Sequence, residues 1–238
     1  MVRNGLHRWR VCKVGAYAGP DISESGLVLA LDAGNSKSYP GAGTTWTDLS
    51  GRGNTGTLTN MDGTNFNSAN GGSLTFDGSN EFVNCGTINL QQNFSLEVWA
   101  YHTSSFVSAA YFGQGPSGIT NQGLHVYYSD YQQRMIFAMW SNDLITSSFP
   151  LAINAWSCFV FTYNHSTYLK QFYSNGVLQN SGTGLVYSGS GQFNVGRTFS
   201  AGSTYMNGRI SIAKVYNRVL TAAEVQQNFN ATRSRFGV

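Results

Sequence analysis

The chain has 238 residues, of which 11% are charged and 14% aromatic, and its formal net charge is +3. A typical soluble domain carries about 25% charged residues, so this surface must consist mostly of small and amide side chains. The positive excess lies before Asp21, and from there onward ten basic residues face eleven acidic ones. We therefore expect no broad basic field for nucleic acid.

The cysteines and the apolar segments exclude further classes. Cys12, Cys85 and Cys158 are an odd number, and Cys158 lies in an apolar run, so no disulfide framework is expected. The sequence has neither the apolar core of a Sec signal nor a run of about 18 apolar residues for a membrane span. This combination favours a protein made in host cytoplasm and released on a virion surface; an extracellular location is the alternative.

Residues 1–25 show no hydrophobic alternation, and we interpret them as a basic N-terminal arm. Such a segment cannot bury enough apolar surface alone to offset its ordering entropy, so it should be mobile or docked on a partner. A plain disordered tail is the alternative. The basic and aromatic side chains that would dock the arm on a partner are Arg3, Arg8, Trp9, Arg10, Lys13 and Tyr17.

From Gly26 the pattern changes to short strands separated by Gly, Asn and Asp turns, which is typical of an all-β domain. The Asn175-Gly176 pair predicts a two-residue hairpin, because both positions tolerate positive φ. The predicted strands are Leu27–Leu31, Ser73–Phe76, Phe82–Cys85, Phe94–Tyr101, Ala109–Phe112, Gly123–Tyr128, Arg134–Trp140, Trp156–Tyr163 and Leu169–Tyr173.

The segment 94–100 alternates, so that one set of side chains faces a core and Ser95, Glu97 and Trp99 form a polar or aromatic opposite face. Near the C-terminus, Thr221 and Glu224 have capping-box spacing, with Leu220 placed to pack on Val225. These signals predict one short helix over 221–229.

Several segments in chain order carry a family resemblance: Leu31-Asp32, the 48–51 turn, 76–78, 94–100, 173–176 and 215–220. Together they resemble the laminin G-like branch of the concanavalin A-like lectin/glucanase superfamily. The resemblance implies a two-sheet antiparallel jelly-roll sandwich over 26–238. Domains of this kind serve as lectins, adhesion modules, glycosidases and structural parts of tailed-phage particles.

No catalytic residue is predicted. A retaining glycosidase needs two carboxyl groups about 5 Å apart, and acids two apart on one strand are absent here. Glu97 is the only acid that lies within a predicted strand, whereas Asp77 and Glu81 are separated by a turn. The four histidines lack zinc spacing. A dispersed pair of acids assembled by the fold remains the enzymatic alternative.

Two kinds of binding site are candidates. Some related domains bind calcium through loop oxygens, and the corresponding candidates are Asp32, Asn35, Asp77 and Asn80. Local Asx hydrogen bonds are the alternative explanation for those turns, and no other cofactor is expected. Sugar binding requires exposed aromatic faces beside amides or carboxylates; the candidates are Tyr127, Tyr128, Tyr131, Trp140, Asn142 and Asp143. Placement of these aromatics in the core or over the sandwich edges is the alternative, and it is favoured over sugar binding.

The sequence thus favours a non-enzymatic structural or decoration protein of a tailed-phage virion, docked on a capsid or tail lattice through its arm. A carbohydrate-binding lectin or adhesin is the alternative function, and the two are compatible. Neither nucleic acid nor membrane is expected as a partner, and a homo-oligomer is left open.

Overall fold

The computed structural model describes residues 21–116, 118–199 and 204–238. Within them the chain forms sixteen strands and one α-helix, with short 3-10 turns at 63–65 and 69–71. In chain order the elements are β1 (Leu27–Asp32), β2 (Thr45–Trp46), β3 (Gly56–Thr59), β4 (Phe66–Asn67), β5 (Ser73–Asp77), β6 (Phe82–Thr87), β7 (Phe94–His102), β8 (Ala109–Gln114), β9 (Leu124–Ser129), β10 (Arg134–Ala138), β11 (Asp143–Ile145), β12 (Ala155–Tyr163), β13 (Leu169–Ser174), β14 (Val177–Thr183), β15 (Gln192–Val195), β16 (Asn207–Tyr216) and α1 (Ala222–Phe236).

The strands form two antiparallel sheets of eight strands each, which confirms the predicted sandwich. The covered sheet has the order β14-β13-β12-β7-β16-β5-β4, with β1 also paired to β16. The open sheet has the order β11-β10-β9-β8-β15-β6-β3-β2. Neighbours far apart in sequence, such as β7 and β16, hold the sheets together, so the fold depends on long-range pairing.

Between the sheets lies one continuous apolar core. From the covered sheet, Phe94, Leu96 and Val98 point inward with no exposed surface. From the open sheet, Val126 and Phe137 meet them. The predicted core face of the 94–100 segment is therefore confirmed.

The opposite face of that segment is buried too, beneath α1. The Trp99 indole stacks on Phe236 and Phe229, with ring centroids 4.1 and 5.8 Å apart. Its Nε1 donates a hydrogen bond to Thr232 Oγ1 at 3.0 Å. The polar or aromatic face predicted from alternation is thus not a solvent face, because a helix more than a hundred residues later in the chain covers it.

The helix begins as predicted. Thr221 Oγ1 accepts from the Glu224 N–H at 3.3 Å, and Glu224 Oε2 accepts from the Thr221 N–H at 2.9 Å, which completes the capping box. The predicted end at Phe229 is wrong, since α1 continues to Phe236. Phe229 and Phe236 lie seven residues apart on one helix face, but the polar residues between them hid this periodicity. None of the described residues form a helix of the length and apolar character that crossing a membrane needs.

The last residues of the predicted arm lie along α1. Ser23 N donates to Asn228 Oδ1 at 2.8 Å, and Gln227 Nε2 donates to the Asp21 carbonyl at 2.6 Å. The predicted docking residues Arg3, Arg8, Trp9, Arg10, Lys13 and Tyr17 lie outside the described residues. The domain boundary at residue 25 stays a prediction.

The predicted Asn-Gly hairpin is confirmed. Asn175 and Gly176 join β13 to β14 with φ values of 49° and 80°. Both residue types accept the left-handed region at low cost, which is why this turn could be read from the sequence.

Candidate functional site

The outer face of the open sheet carries the candidate site, because α1 packs on the other sheet. On β9, Leu124, Val126 and Tyr128 point into the core, so His125 and Tyr127 point outward. The register places Tyr127 opposite Ile136, and Ile136 opposite Ile145. A second row joins His125, Ala138 and Asp143. We call the two rows together with Trp140 the platform: His125, Tyr127, Ile136, Ala138, Trp140, Asp143 and Ile145.

Trp140 lies in the hairpin turn between β10 and β11, where it was predicted to end a strand. Trp140 and Ser141 have φ values of 50° and 58°, and Met139 N donates to the Asn142 carbonyl at 3.1 Å. Positive φ at both central positions defines a type I′ turn, which favours Asn and Gly. A bulky aromatic residue there costs roughly 1–3 kcal/mol and persists only when its surroundings enforce it. The half-buried indole meets the His125 ring edge-on at 5.8 Å.

The platform is neutral apart from one carboxylate. Burial lowers the pKa of His125, whose Nδ1 lies 2.9 Å from the Gly123 carbonyl, so the imidazole is uncharged at neutral pH. Burial and the Asp143 carboxylate raise the pKa of Tyr127, which keeps its hydroxyl protonated. Asp143 is exposed and accepts from the Asn142 N–H at 3.1 Å. The half-buried rings of Tyr127 and Trp140 and one exposed acceptor of hydrogen bonds therefore share this surface, while His125, Ile136 and Ala138 are buried between them.

Three of the predicted sugar-binding residues come together on the platform, namely Tyr127, Trp140 and Asp143. Two others are corrected. Tyr128 is only 1% exposed and points into the core, because consecutive strand residues face opposite sides. Asn142 is buried, and its amide oxygen accepts from Lys170 Nζ at 2.7 Å. This contact connects the turn between β10 and β11 to β13, so Asn142 has a structural role.

The sixth residue, Tyr131, lies at the opposite end of β10, in the turn after β9. It is 92% exposed, and Phe106 beside it is 76% exposed. Phe106 was missed, since a lone aromatic among serines carries no pattern that marks a site. The two rings border a cavity of about 600 Å³, the turn pocket, which is lined by Phe106, Asp130, Tyr131, Gln132, Gln133, Ser147 and Ser148.

The four predicted calcium residues do not form one site. Asp32 and Asp77 pair with Ile212 and Asn207 of β16, five residues apart, which separates them by about 17 Å along the strand. In the part of the chain that the structure describes, no group of three acidic, histidine or cysteine residues is placed to hold a metal ion.

Each of the calcium candidates has a local structural role instead. Asp32 Oδ1 accepts from the Gly34 N–H at 2.8 Å and from Arg235 Nη1 at 2.7 Å. Asp77 Oδ1 accepts from the N–H groups of the turn after β5, which includes Asn80. Asn35 Oδ1 accepts from the Lys37 N–H. Asx turns thus account for the side chains of Asp32, Asn35 and Asp77, whereas Asn80 contributes its backbone N–H to the turn at Asp77. Calcium binding stays an untested prediction.

The acids considered for catalysis serve the fold. Glu97 has no exposed surface, and its carboxylate contacts Lys214 Nζ and Asn228 Nδ2 at 2.7 Å each, beneath α1. Glu81 Oε2 accepts from the Asp77 N–H at 2.7 Å and so closes the turn between β5 and β6. Neither carboxylate lies on the platform.

Two packed eight-stranded antiparallel sheets with one C-terminal helix define a concanavalin A-like β-sandwich protein. Residues 70–226 match the family model of the concanavalin A-like lectin/glucanases superfamily, and the chain belongs to that superfamily. Among curated protein sequences none matches this chain.

Solved structures with the same fold have diverse roles. Domain 4 of AbnA, a GH43 extracellular arabinanase from Geobacillus stearothermophilus in complex with arabinotriose, aligns with a TM-score of 0.67 at 17% identity, over 87% of this chain and 100% of that domain. The Trypanosoma rangeli sialidase aligns with a TM-score of 0.64 at 16% identity, over 89% of this chain and 34% of the sialidase. The botulinum neurotoxin type G receptor binding domain gives 0.58 at 17%, over 86% of this chain and 51% of that domain. The chain spans about half of the neurotoxin domain and a third of the sialidase. At these identities the likeness establishes the fold alone.

Proposed function

We propose that this protein is a non-catalytic carbohydrate-binding domain whose ligand lies on the platform. The observation that carries the proposal is Trp140, a half-buried indole held at a φ of 50° in a turn that favours Asn or Gly. Strained backbone of this kind concentrates at functional sites, where the strain places a particular side chain. Here it places the indole against His125, whose ring in turn lies 6.1 Å from that of Tyr127.

The chemistry of the platform suits a sugar. The C–H faces of a sugar ring pack on aromatic rings such as those of Tyr127 and Trp140, while its hydroxyls donate to the exposed Asp143 carboxylate. Membership of a superfamily of lectins and glucanases supports the same assignment. So does the arabinotriose bound to the structurally similar arabinanase domain.

The superfamily contains glycosidases as well as binding domains, and we assign this chain to the second group. Hydrolysis with retention needs two carboxyl groups about 5 Å apart at the sugar. On the platform Asp143 stands without a second acid, and Glu97 is paired with Lys214 on the far side of the sandwich. These placements support binding rather than catalysis.

The proposal is tested by glycan-array screening followed by calorimetry on the best ligand. Tyr127→Ala and Trp140→Ala should each weaken binding at least tenfold. Tyr168→Ala is the matched control, because Tyr168 is also an aromatic residue at positive φ (56°) and is more exposed than Trp140, but lies in the turn between β12 and β13. Equal effects of all three variants, or no array signal at high protein concentration, would refute sugar binding.

We further propose that the sandwich is displayed on a tailed-phage virion, docked through its basic arm to a capsid or tail lattice. Low overall charge and the concentration of positive charge before Asp21 support this assignment. Removal of residues 1–19 should abolish co-sedimentation with the particle while the sandwich stays folded by circular dichroism. Retained co-sedimentation would remove the arm from the proposal.

A further inference from the structure

Arg134 is the first residue of β10 and lies opposite Ser129, at the edge of the platform. It shares the outward face with Ile136, two residues further along the strand. The side chain is half-buried, and its Nε is buried without a hydrogen-bond acceptor. No ion pair, hydrogen bond or aromatic ring among the described residues engages its guanidinium group.

The other arginines of the described chain differ from Arg134. Two form ion pairs, three lie over aromatic rings, and one is exposed in a turn; these are Arg218 and Arg235, then Arg197, Arg209 and Arg233, and finally Arg52. The Nε of Arg197 is also buried without an acceptor, but its guanidinium group lies over the Phe82 ring at 4.9 Å. Partial removal of a charge from water without a partner costs free energy. An anionic ligand would recover that cost at Arg134, whereas the exposed Arg52 remains hydrated.

Neighbouring acids do not cancel this charge. Asp130, in the adjacent turn, accepts from the Ser108 hydroxyl at 2.6 Å and forms no ion pair with Arg134. Asp143 lies in the row of Ala138, four residues along β10, at about 13 Å. That separation exceeds the screening length of about 8 Å at physiological ionic strength. The Arg134 end of the platform therefore attracts anions, and the Asp143 end attracts hydroxyl donors.

We propose that the platform binds an acidic oligosaccharide that contains uronate units. The inference rests on the proposed sugar-binding function and names its ligand class. The uronate carboxylate pairs with the Arg134 fork, whose two parallel N–H donors match a carboxylate. A neighbouring ring packs on Tyr127, and the chain continues past Gln133 into the turn pocket. There the Asp130 carboxylate accepts from sugar hydroxyls, and amide and hydroxyl groups accompany Phe106 and Tyr131.

The experiment uses the full chain on an array of uronate oligosaccharides printed beside their carboxyl-reduced, neutral counterparts, with calorimetry on the best matched pair. We expect the acid to bind about tenfold more tightly than its neutral counterpart, as for a charged hydrogen-bonded pair. Arg134→Gln should abolish that preference, and Arg134→Lys should restore part of it. Arg52→Gln, which removes the same charge elsewhere, should leave the preference intact.

Two results would overturn the inference, and they differ in what else they refute. If neutral and acidic glycans bind equally and binding still depends on Tyr127, the ligand class is wrong while sugar binding stands. If neither kind binds, sugar binding is wrong too. An equal loss of preference in Arg52→Gln and Arg134→Gln would also overturn it, because net charge rather than the site would then be responsible.

Discussion

The outer faces of the two sheets carry similar residues, but α1 covers only one of them. On the covered sheet, Trp99 is sealed under α1, and Glu97 is matched by Lys214 and Asn228. On the open sheet, Trp140 is held in a strained turn, and Arg134 has no partner among the residues that the structure describes. The first face is satisfied within the chain and stabilises the fold. The second face keeps side-chain groups that no other described residue engages, as a binding surface does.

Among the variants that test this comparison, Trp99→Ala has the largest expected effect on stability. The substitution removes an indole that stacks on two other rings and donates a hydrogen bond at a fully buried position. We therefore expect a loss of about 3–5 kcal/mol in the free energy of unfolding. Tyr127→Ala on the open sheet should cost about 1 kcal/mol or less, because the ring is half-exposed. Urea denaturation measures both. Similar losses would mean that the open face also supports the fold.

Next in size is Glu97→Gln, which leaves the 5%-exposed Lys214 ammonium without its carboxylate. Breaking a buried pair from one side costs about 3 kcal/mol. The double variant Glu97→Leu with Lys214→Met should recover most of that stability. Sugar binding should be the same in every variant that folds, whereas loss of a glycan-cleaving activity on Glu97→Gln would contradict our assignment of this residue.

A smaller effect is the pH dependence of the stability that Glu224 contributes at the start of α1. The hydrogen bond from Arg218 lowers the pKa of Glu224 to about 2, below its ordinary value of 4.5. Because the folded state favours the ionised carboxylate, its contribution is fully present above pH 4.5 and is lost as pH falls toward 2. Thermal unfolding of Glu224→Gln should therefore depend less on pH across this window than that of the parent chain. Identical pH profiles would show that the contact between Arg218 and Glu224 contributes nothing to the pH dependence.

The smallest expected change in stability accompanies the loss of binding in Trp140→Asn. Asn tolerates positive φ, so relief of strain should offset the lost packing and keep stability within about 1 kcal/mol of the parent. Tyr168→Asn, at a φ of 56°, is the control for relief of strain without loss of the site. Calorimetry should show weakened glycan binding in the first variant alone.

Local chemistry explains what could be predicted. The Thr221 and Glu224 capping box and the Asn175-Gly176 turn depend on residues a few positions apart, and both form as expected. The turn at Trp140 was missed because its residues contradict the usual preference for Asn and Gly. Alternation along β9 directs Tyr127 outward and Tyr128 into the core. The neighbouring apolar residues Leu124 and Val126 already indicated this in the sequence.

Alternation, turn residues and caps act over short distances, so the two-sheet sandwich, the start of α1 and the inward face of the strands could be predicted from the residues alone. Which outward face is covered could not be predicted in this way and follows from the folded arrangement. That choice depends on α1 reaching Trp99 from over a hundred residues away and on the pairing of β9, β10 and β11. The register between β9 and β10 also brings Arg134 near Tyr127, a proximity that spacing along the chain does not reveal. Within the described ranges no other residue engages Arg134.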